Sequence, residues 1–265
     1  MTATSTETSD KLQLDLREHT ALITINNPPA NTWDGENLRG LLSILETLKN
    51  NSDIYALVIT GSGDKFFSAG ADLNQFAQGD KNIASTVANE FSQAFEALAD
   101  FPGVSIAAIN GFAMGGGLEV ALACDIRIAE THAQLALPET KVGLLPCGGG
   151  TQRLSWLVGE GWAKRLILCG ERINAKTAEK IGLVEEVVDQ GESLNTALSL
   201  AAKVAGQSPT AVRYSKALIH AARDTAFGSA LIAERQRFVD LFDGQDQVEG
   251  VNAFLEKRKA EWKNC

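Results

Sequence analysis

The sequence predicts an α/β protein built on a largely parallel sheet and finished by a section of helices. Short apolar runs that end in glycine or asparagine alternate with amphipathic stretches of helical spacing, and strand-like runs stop before Ser208. Alternation of this kind implies right-handed βα crossovers on a parallel sheet. At 265 residues the chain can bury one ordinary core without disulfides or metals.

Residues 1–10 are polar and are expected to form a disordered leader. Leu12–Leu16 and Ala21–Asn26 alternate apolar and polar positions as half-buried strands do, and a hairpin is the natural link. Asn27-Pro28-Pro29 stops the second strand, after which Leu38, Leu41, Leu42, Leu45 and Leu48 mark one helix face. Tyr55–Gly61 reads as a buried parallel strand, and Gly61-Ser62-Gly63 after it as a tight βα turn. A helix through Val87, Phe91, Phe95 and Leu98 is broken at Pro102-Gly103, a strand follows over 105–110, and the glycines of GFAMGGGLEVALACD open a further helix. IRIA (126–129) and QLAL (134–137) read as a strand pair leading to Pro138-Glu139, and LVEEVV (183–188) as one more strand-like piece. The resulting organisation is a leader over 1–10, a catalytic core over 11–207 and a helical section over 208–265, ending in a helix through Val248, Val251, Phe254 and Leu255.

Composition narrows the function classes. Thirty-three acidic residues against 24 basic ones give a formal charge of −9, which repels nucleic acid as a principal partner. No apolar run approaches a membrane span, the acidic start resembles no targeting segment, and Cys124, Cys147, Cys169 and Cys265 form no C-x-x-C pair; a cytoplasmic protein with reduced thiols is expected. His19, His132 and His220 are widely separated and form no H-E-x-x-H, so no metal site is expected. G-x-S-x-G, P-loop and complete dinucleotide fingerprints are missing too.

Two glycine-containing turns carry the chemical signal: Phe67–Leu73, and Asn110–Gly117 at the opening of a helix. A helix N-terminus has free amides and a positive dipole end, and glycine lets a ligand oxygen approach them. Glu119 lies one turn beyond Gly116, on the face that carries its amide. Read separately, the glycines also suit close helix packing, and Glu119 also suits a carboxylate that complements the dipole. Glu139 ends an apolar strand just before GLLPCGGG, a tightly turned loop; taken alone it also suits a solvated loop position.

GFAMGGGLEVALACDIRIA followed by LALPETKVGLLPCGGGTQRL resembles the enoyl-CoA hydratase (crotonase) family, and the likeness runs from about residue 12 to AFLEKRKAEW. The resemblance implies a crotonase-like ββα spiral core with a C-terminal helical trimerisation region, assembled as a homo-trimer or a hexamer. It makes the amides of Ala71 and Gly116 an oxyanion hole for a thioester carbonyl, and Glu119 and Glu139 the catalytic pair that adds water to a 2-trans-enoyl-CoA, as in fatty-acid or related acyl-CoA degradation. Coenzyme A would enter as part of the substrate, with no permanently bound cofactor. Ala69, Asp72, Leu73 and Asn74, the early loop at Pro29 and Ala30, Cys147, and Phe254 with Lys257 match positions that border CoA or substrate in relatives. The chain departs from the pattern at Asn74 and Cys147, where lysine and glycine are common, and the early loop lacks its usual basic residue. A 3,2-enoyl-CoA isomerase, another acyl-CoA hydrolase or lyase of the same fold, and a non-catalytic CoA- or RNA-binding relative are the alternatives.

Overall fold

The computed structural model describes residues 5–264. β1 (Ser5–Ser9), β2 (Leu12–Arg17) and β3 (Thr20–Ile25) form an antiparallel meander. The leader expected to be disordered over 1–10 is therefore a paired edge strand over Ser5–Ser9, while residues 1–4 and Cys265 lie outside the described residues. α1 (Gly35–Lys49) starts at a capping box: the Asp34 carboxylate accepts from the amides of Glu36 and Asn37, and the Asn37 side chain accepts from the Asp34 amide. Its buried face carries Leu38, Leu41, Ile44, Leu45 and Leu48.

From there the chain repeats strand, short strand, helix. β4 (Ala56–Gly61) and β5 (Phe66–Ser68) precede α2 (Lys81–Ala99); β6 (Val104–Ile109) and β7 (Phe112–Met114) precede α3 (Gly116–Ala123); β8 (Ile126–Glu130) and β9 (Gln134–Ala136) precede α4 (Gly150–Leu168). β10 (Ile173–Asn174), α5 (Ala175–Lys180), β11 (Glu186–Val188) and α6 (Ser193–Ala205) complete the core, and α7 (Pro209–Ala221), α8 (Phe227–Asp240) and α9 (Gln245–Glu256) follow. The first strand of each repeat joins a seven-stranded sheet of order β1-β2-β3-β4-β6-β8-β11, and the second joins a four-stranded sheet of order β10-β9-β7-β5. Each repeat thus climbs both sheets by one strand, which makes the core a ββα spiral.

Two expectations are corrected here. IRIA and QLAL are not partners: β8 pairs in parallel with β6 and β11, while β9 pairs with β7 and β10. Gly61-Ser62-Gly63 leads into β5 rather than directly into a helix. Three-residue strands carry too little periodicity to be recognised, and Phe67 and Ala113 within them are fully buried.

The inner strands of the large sheet are apolar on both faces. Ile23, Leu57, Ile59, Ala107 and Ile109 enter the main core with α1 and α2, while the alternate residues Leu22, Val58, Ile106, Ala108 and Ile128 pack under Ala197 and Ala201 of α6. α7 is pinned to this body by Lys216, whose ammonium donates to the carbonyls of Phe101 and Gly103 at 2.6 and 2.9 Å and pairs with Asp125 at 2.8 Å. α8, α9 and the 3-10 turn between them expose Phe227, Phe238, Phe242, Val251 and Phe254.

Candidate active site

The small sheet delivers its strand ends to one place. After β5 the chain runs through Ala69-Gly70-Ala71, where Trp33 clamps one edge: its amide donates to the Gly70 carbonyl at 2.8 Å and its carbonyl accepts from the Asp72 amide at 2.9 Å. Successive amides of an extended segment point opposite ways, so this clamp leaves the Ala71 N–H unclaimed. After β7, Gly115 turns the chain with φ 52° and ψ −127°, a conformation that glycine adopts without strain, and α3 begins. The Gly116 amide lies in the first turn and has no intrahelical acceptor. Among the described residues neither amide donates to another protein group.

These two amides are neighbours. A Cβ built on Gly116 would lie 3.7 Å from the Ala71 nitrogen, and one built on Gly70 would lie 3.1 Å from the Gly116 nitrogen. Gly70 has φ 90°, and its Cβ would also come within 2.6 Å of the Met114 carbonyl oxygen. The pairing of the two turns depends on that missing side chain.

Glu119, 2 % exposed, extends from α3 to the turn ahead of α4, where its Oε1 accepts from the Gly148 and Gly150 amides, each at 2.8 Å. Burial lifts this carboxyl above the ordinary carboxylate value, while the two amides and the Arg153 charge pull the other way. Glu139 begins a single 3-10 turn, Glu139–Val142, after β9. Its two carboxylate oxygens are buried, and among the described residues no other residue donates a hydrogen bond to them. Desolvation pushes its pKa up to about 7 against the pull of its own backbone amide, with Glu119 adding like-charge repulsion. The Glu139 Oε1 would be 3.1 Å from a Cβ on Gly115, so the same turn that starts α3 makes room for it.

Glu119, Glu139, Ala71 and Gly116 all line one cavity of about 560 Å³, a volume suited to a small-molecule site. Ala69, Leu73 and Cys147 line it as well. Desolvation and the two glutamates push the Cys147 thiol up to about 11, which leaves it protonated near neutral pH. Of the other candidate positions, Ala30 supports the site indirectly, its carbonyl accepting from the Ala69 amide at 2.9 Å, while Pro29 does not line the cavity. Asp72 and Asn74 do not face it either: the Asp72 carboxylate accepts from the Asn74 amide at 3.0 Å and side chain at 2.8 Å, capping the 3-10 turn Leu73–Phe76. Phe254 and Lys257 sit exposed at the end of α9 and do not line the cavity of their own chain.

Sequence reasoning missed the apolar wall of Phe76, Ala84, Ala88, Phe91, Val142, Leu144 and Leu145. Ala84, Ala88 and Phe91 follow helical spacing in α2 and were detectable as a stripe with small residues at one end. The grip of Gly148 and Gly150 on Glu119 spans about thirty residues of chain and left no local signal. A second cavity of about 730 Å³ lies between α7 and the core, but its acidic group, Asp125, is consumed by Lys216 and His220. Among the described residues no cluster could hold a metal ion, and no helix is long and apolar enough to cross a membrane.

The geometry agrees with what the chain is similar to. The family model described as enoyl-CoA hydratase/isomerase matches residues 16–265. A short-chain-enoyl-CoA hydratase of Clostridium acetobutylicum is 39% identical over 91% of this chain and 93% of that protein. The 2,3-dehydroadipyl-CoA hydratase of Escherichia coli is 38% identical over 96% of this chain and 98% of that one. Among solved structures, Pseudomonas aeruginosa DspI superposes with a TM-score of 0.95 at 66% identity, covering 96% of this chain and 97% of the other. The enoyl-CoA hydratase of Bacillus anthracis superposes at 0.93 with 36% identity, covering 96% and 100%. The spiral is therefore the crotonase-like α/β fold, and the chain belongs to the enoyl-CoA hydratase/isomerase family.

Proposed function

We propose that the chain adds water reversibly to a 2-trans-enoyl-CoA, giving a 3-hydroxyacyl-CoA, in fatty-acid or related acyl-CoA degradation. The observation that carries this reading is the unequal supply of hydrogen bonds to two carboxylates in one cavity: among the described residues two amides of another loop reach Glu119, and no other residue donates to Glu139. Amide donors favour an ionised carboxylate, and a buried one without donors from other residues holds its proton to higher pH, so the pair supplies a base and an acid together.

The thioester carbonyl oxygen lies between the Ala71 and Gly116 amides, which stabilise the negative charge it gains as C3 is attacked. Glu119 takes a proton from water as its oxygen bonds to C3, and Glu139 gives its proton to C2; exchange with solvent then restores the starting protonation. Ala69, Leu73 and Cys147 border the acyl-pantetheine path, with CoA entering and leaving as part of the substrate. Single-carboxylate chemistry suffices to move a 3,4 double bond, so the second carboxylate is what favours hydration over isomerisation.

The exposed apolar residues of α8 and α9, with Phe254 83 % exposed, support assembly into a homo-trimer or a hexamer. In that assembly Phe254 and Lys257 meet the CoA of a neighbouring subunit; light scattering of the purified protein tests the assembly. Product analysis tests the reaction: crotonyl-CoA is expected to give 3-hydroxybutyryl-CoA, and turnover of a 3-enoyl-CoA without hydration of crotonyl-CoA would replace this reading with an isomerase.

A further inference from the structure

Arg153 is a half-buried cation that forms no ion pair among the described residues. It belongs to the first turn of α4, where its amide bonds back to the Gly149 carbonyl at 2.9 Å, and its guanidinium Nη1 donates to the Gly148 carbonyl at 2.9 Å. Nη1 also lies so close over Gly149, which has φ 97°, that a Cβ there would come within 2.2 Å of it. Gly148 is consequently held from both sides, its carbonyl by Arg153 and its amide by Glu119. Gly150, the other donor to Glu119, opens the helix that carries Arg153.

We infer that Arg153 is a positioning residue for the hydration proposed above: by gripping the Gly148 carbonyl it holds two amides against Glu119, and this selects Glu119 rather than Glu139 as the base. The inference rests on that reading of the reaction. A neutral donor would hold the loop equally well, and only a cation also favours the ionised state of the carboxylate that the loop serves. The charged and titratable groups around the pair fit that role. Glu139 and Cys147 share the cavity with Glu119; Glu96 and Asp100 lie on the α2 side of Arg153, and Arg223 repels it from beyond α7. Burial lowers the pKa of the guanidinium, so its placement here is a cost that the loop and the carboxylate must offset.

The test is a carboxyl-carbon NMR titration of Glu119 in the full chain, assigned with Glu119→Gln, together with kcat and KM for crotonyl-CoA across pH. In Arg153→Met, Glu119 is expected to titrate at higher pH than in the wild type. The kcat near neutrality falls about tenfold or more with KM within about twofold, and Arg153→Lys recovers much of the loss. A lower melting temperature with the Glu119 titration and the pH profile unmoved would overturn the inference and leave Arg153 a structural brace. Should the methionine variant not fold, Arg153→Gln gives the same reading, since it keeps a donor for Gly148 and drops the charge: an unmoved Glu119 again overturns it. Wild-type protein that fails to hydrate crotonyl-CoA would remove the hydratase reading alone, because the titration reports the effect of Arg153 on Glu119 without turnover.

Discussion

Glu119 projects from the first turn of a fully buried helix onto two backbone amides, whereas Glu139 opens a single 3-10 turn and, among the described residues, meets no donor from another residue. Both carboxylates are lifted by burial; on Glu119 that lift is opposed by two amides of a distant loop and by the Arg153 charge, on Glu139 by its own backbone amide alone. Depth lifts both acids, and the difference teaches that hydrogen-bond supply is what sets the two neighbours apart. It also shows how one fold makes the two environments: α3 aims its acid at a glycine loop, and the end of β9 aims the other at the space left by Gly115.

The sharpest break of this comparison removes one acid at a time. Glu119→Gln and Glu139→Gln are each expected to lower kcat for crotonyl-CoA by roughly 10²–10⁴-fold, with KM within about threefold. The double variant should be little worse than the poorer single one, because the two act on one water. A single variant with near wild-type kcat would show that the two environments do not divide the labour. Next in size is Gly70→Ala. Its Cβ meets the Met114 carbonyl oxygen at 2.6 Å from a backbone at φ 90°, so the turns carrying Ala71 and Gly116 must separate. A loss of about 100-fold in kcat is expected, the scale of one lost oxyanion donor. Circular dichroism separates that loss from unfolding.

The two acids were not equally legible in the sequence. Glu119 follows a glycine-rich helix start by one turn, a local pattern whose geometry is set by the helix itself, so residue spacing alone brings it near the Gly116 amide. Glu139 was visible only as a carboxylate at a strand end, and its burial beside Gly115 depends on β7 and β9 pairing, which is long-range packing. The same division holds for the fold. The six-residue strands β4 and β6 announce themselves as continuous apolar runs and α1 by its leucine face, while β5, β7 and β9, three residues each, are made strands only by their neighbours. The early loop, expected to border CoA, meets the site only through the Ala30 carbonyl on the Ala69 amide, and Asp72 and Asn74 cap their own 3-10 turn, a competing use of short polar side chains that spacing does not reveal.

Stability offers a smaller and independent reading of the same asymmetry. Glu139 has a folded pKa of about 7 against an ordinary value of 4.5. Below the ordinary value both states hold the proton and nothing is lost. Between the two values the unfolded chain ionises while the folded one does not, so unfolding gains ground as pH rises; above about 7 the full penalty, about 3 kcal/mol, is present. Glu139→Gln, neutral at every pH, should therefore be more stable than the wild type at pH about 8 and differ little from it at pH about 4. Urea midpoints at the two pH values measure this. Equal midpoints at both would mean that Glu139 finds a partner or solvent that offsets its burial.

Asp72→Ala is expected to have the smallest effect, and it asks whether the wall of the cavity is as firmly held as its acids. The Asp72 carboxylate caps the turn that carries Leu73 and Phe76, both lining the cavity, and touches neither Glu119 nor Glu139. Loss of the cap costs about 1 kcal/mol at most, felt locally because the turn is exposed and single. Binding of the acyl-CoA should then weaken, with KM rising about twofold to threefold, while kcat holds because the carboxylates and the two amides are fixed by other contacts. A fall in kcat with KM unchanged would instead tie this turn to the Ala71 amide, one residue before the cap, and make the clamp of Trp33 on Gly70 and Asp72 insufficient to hold it.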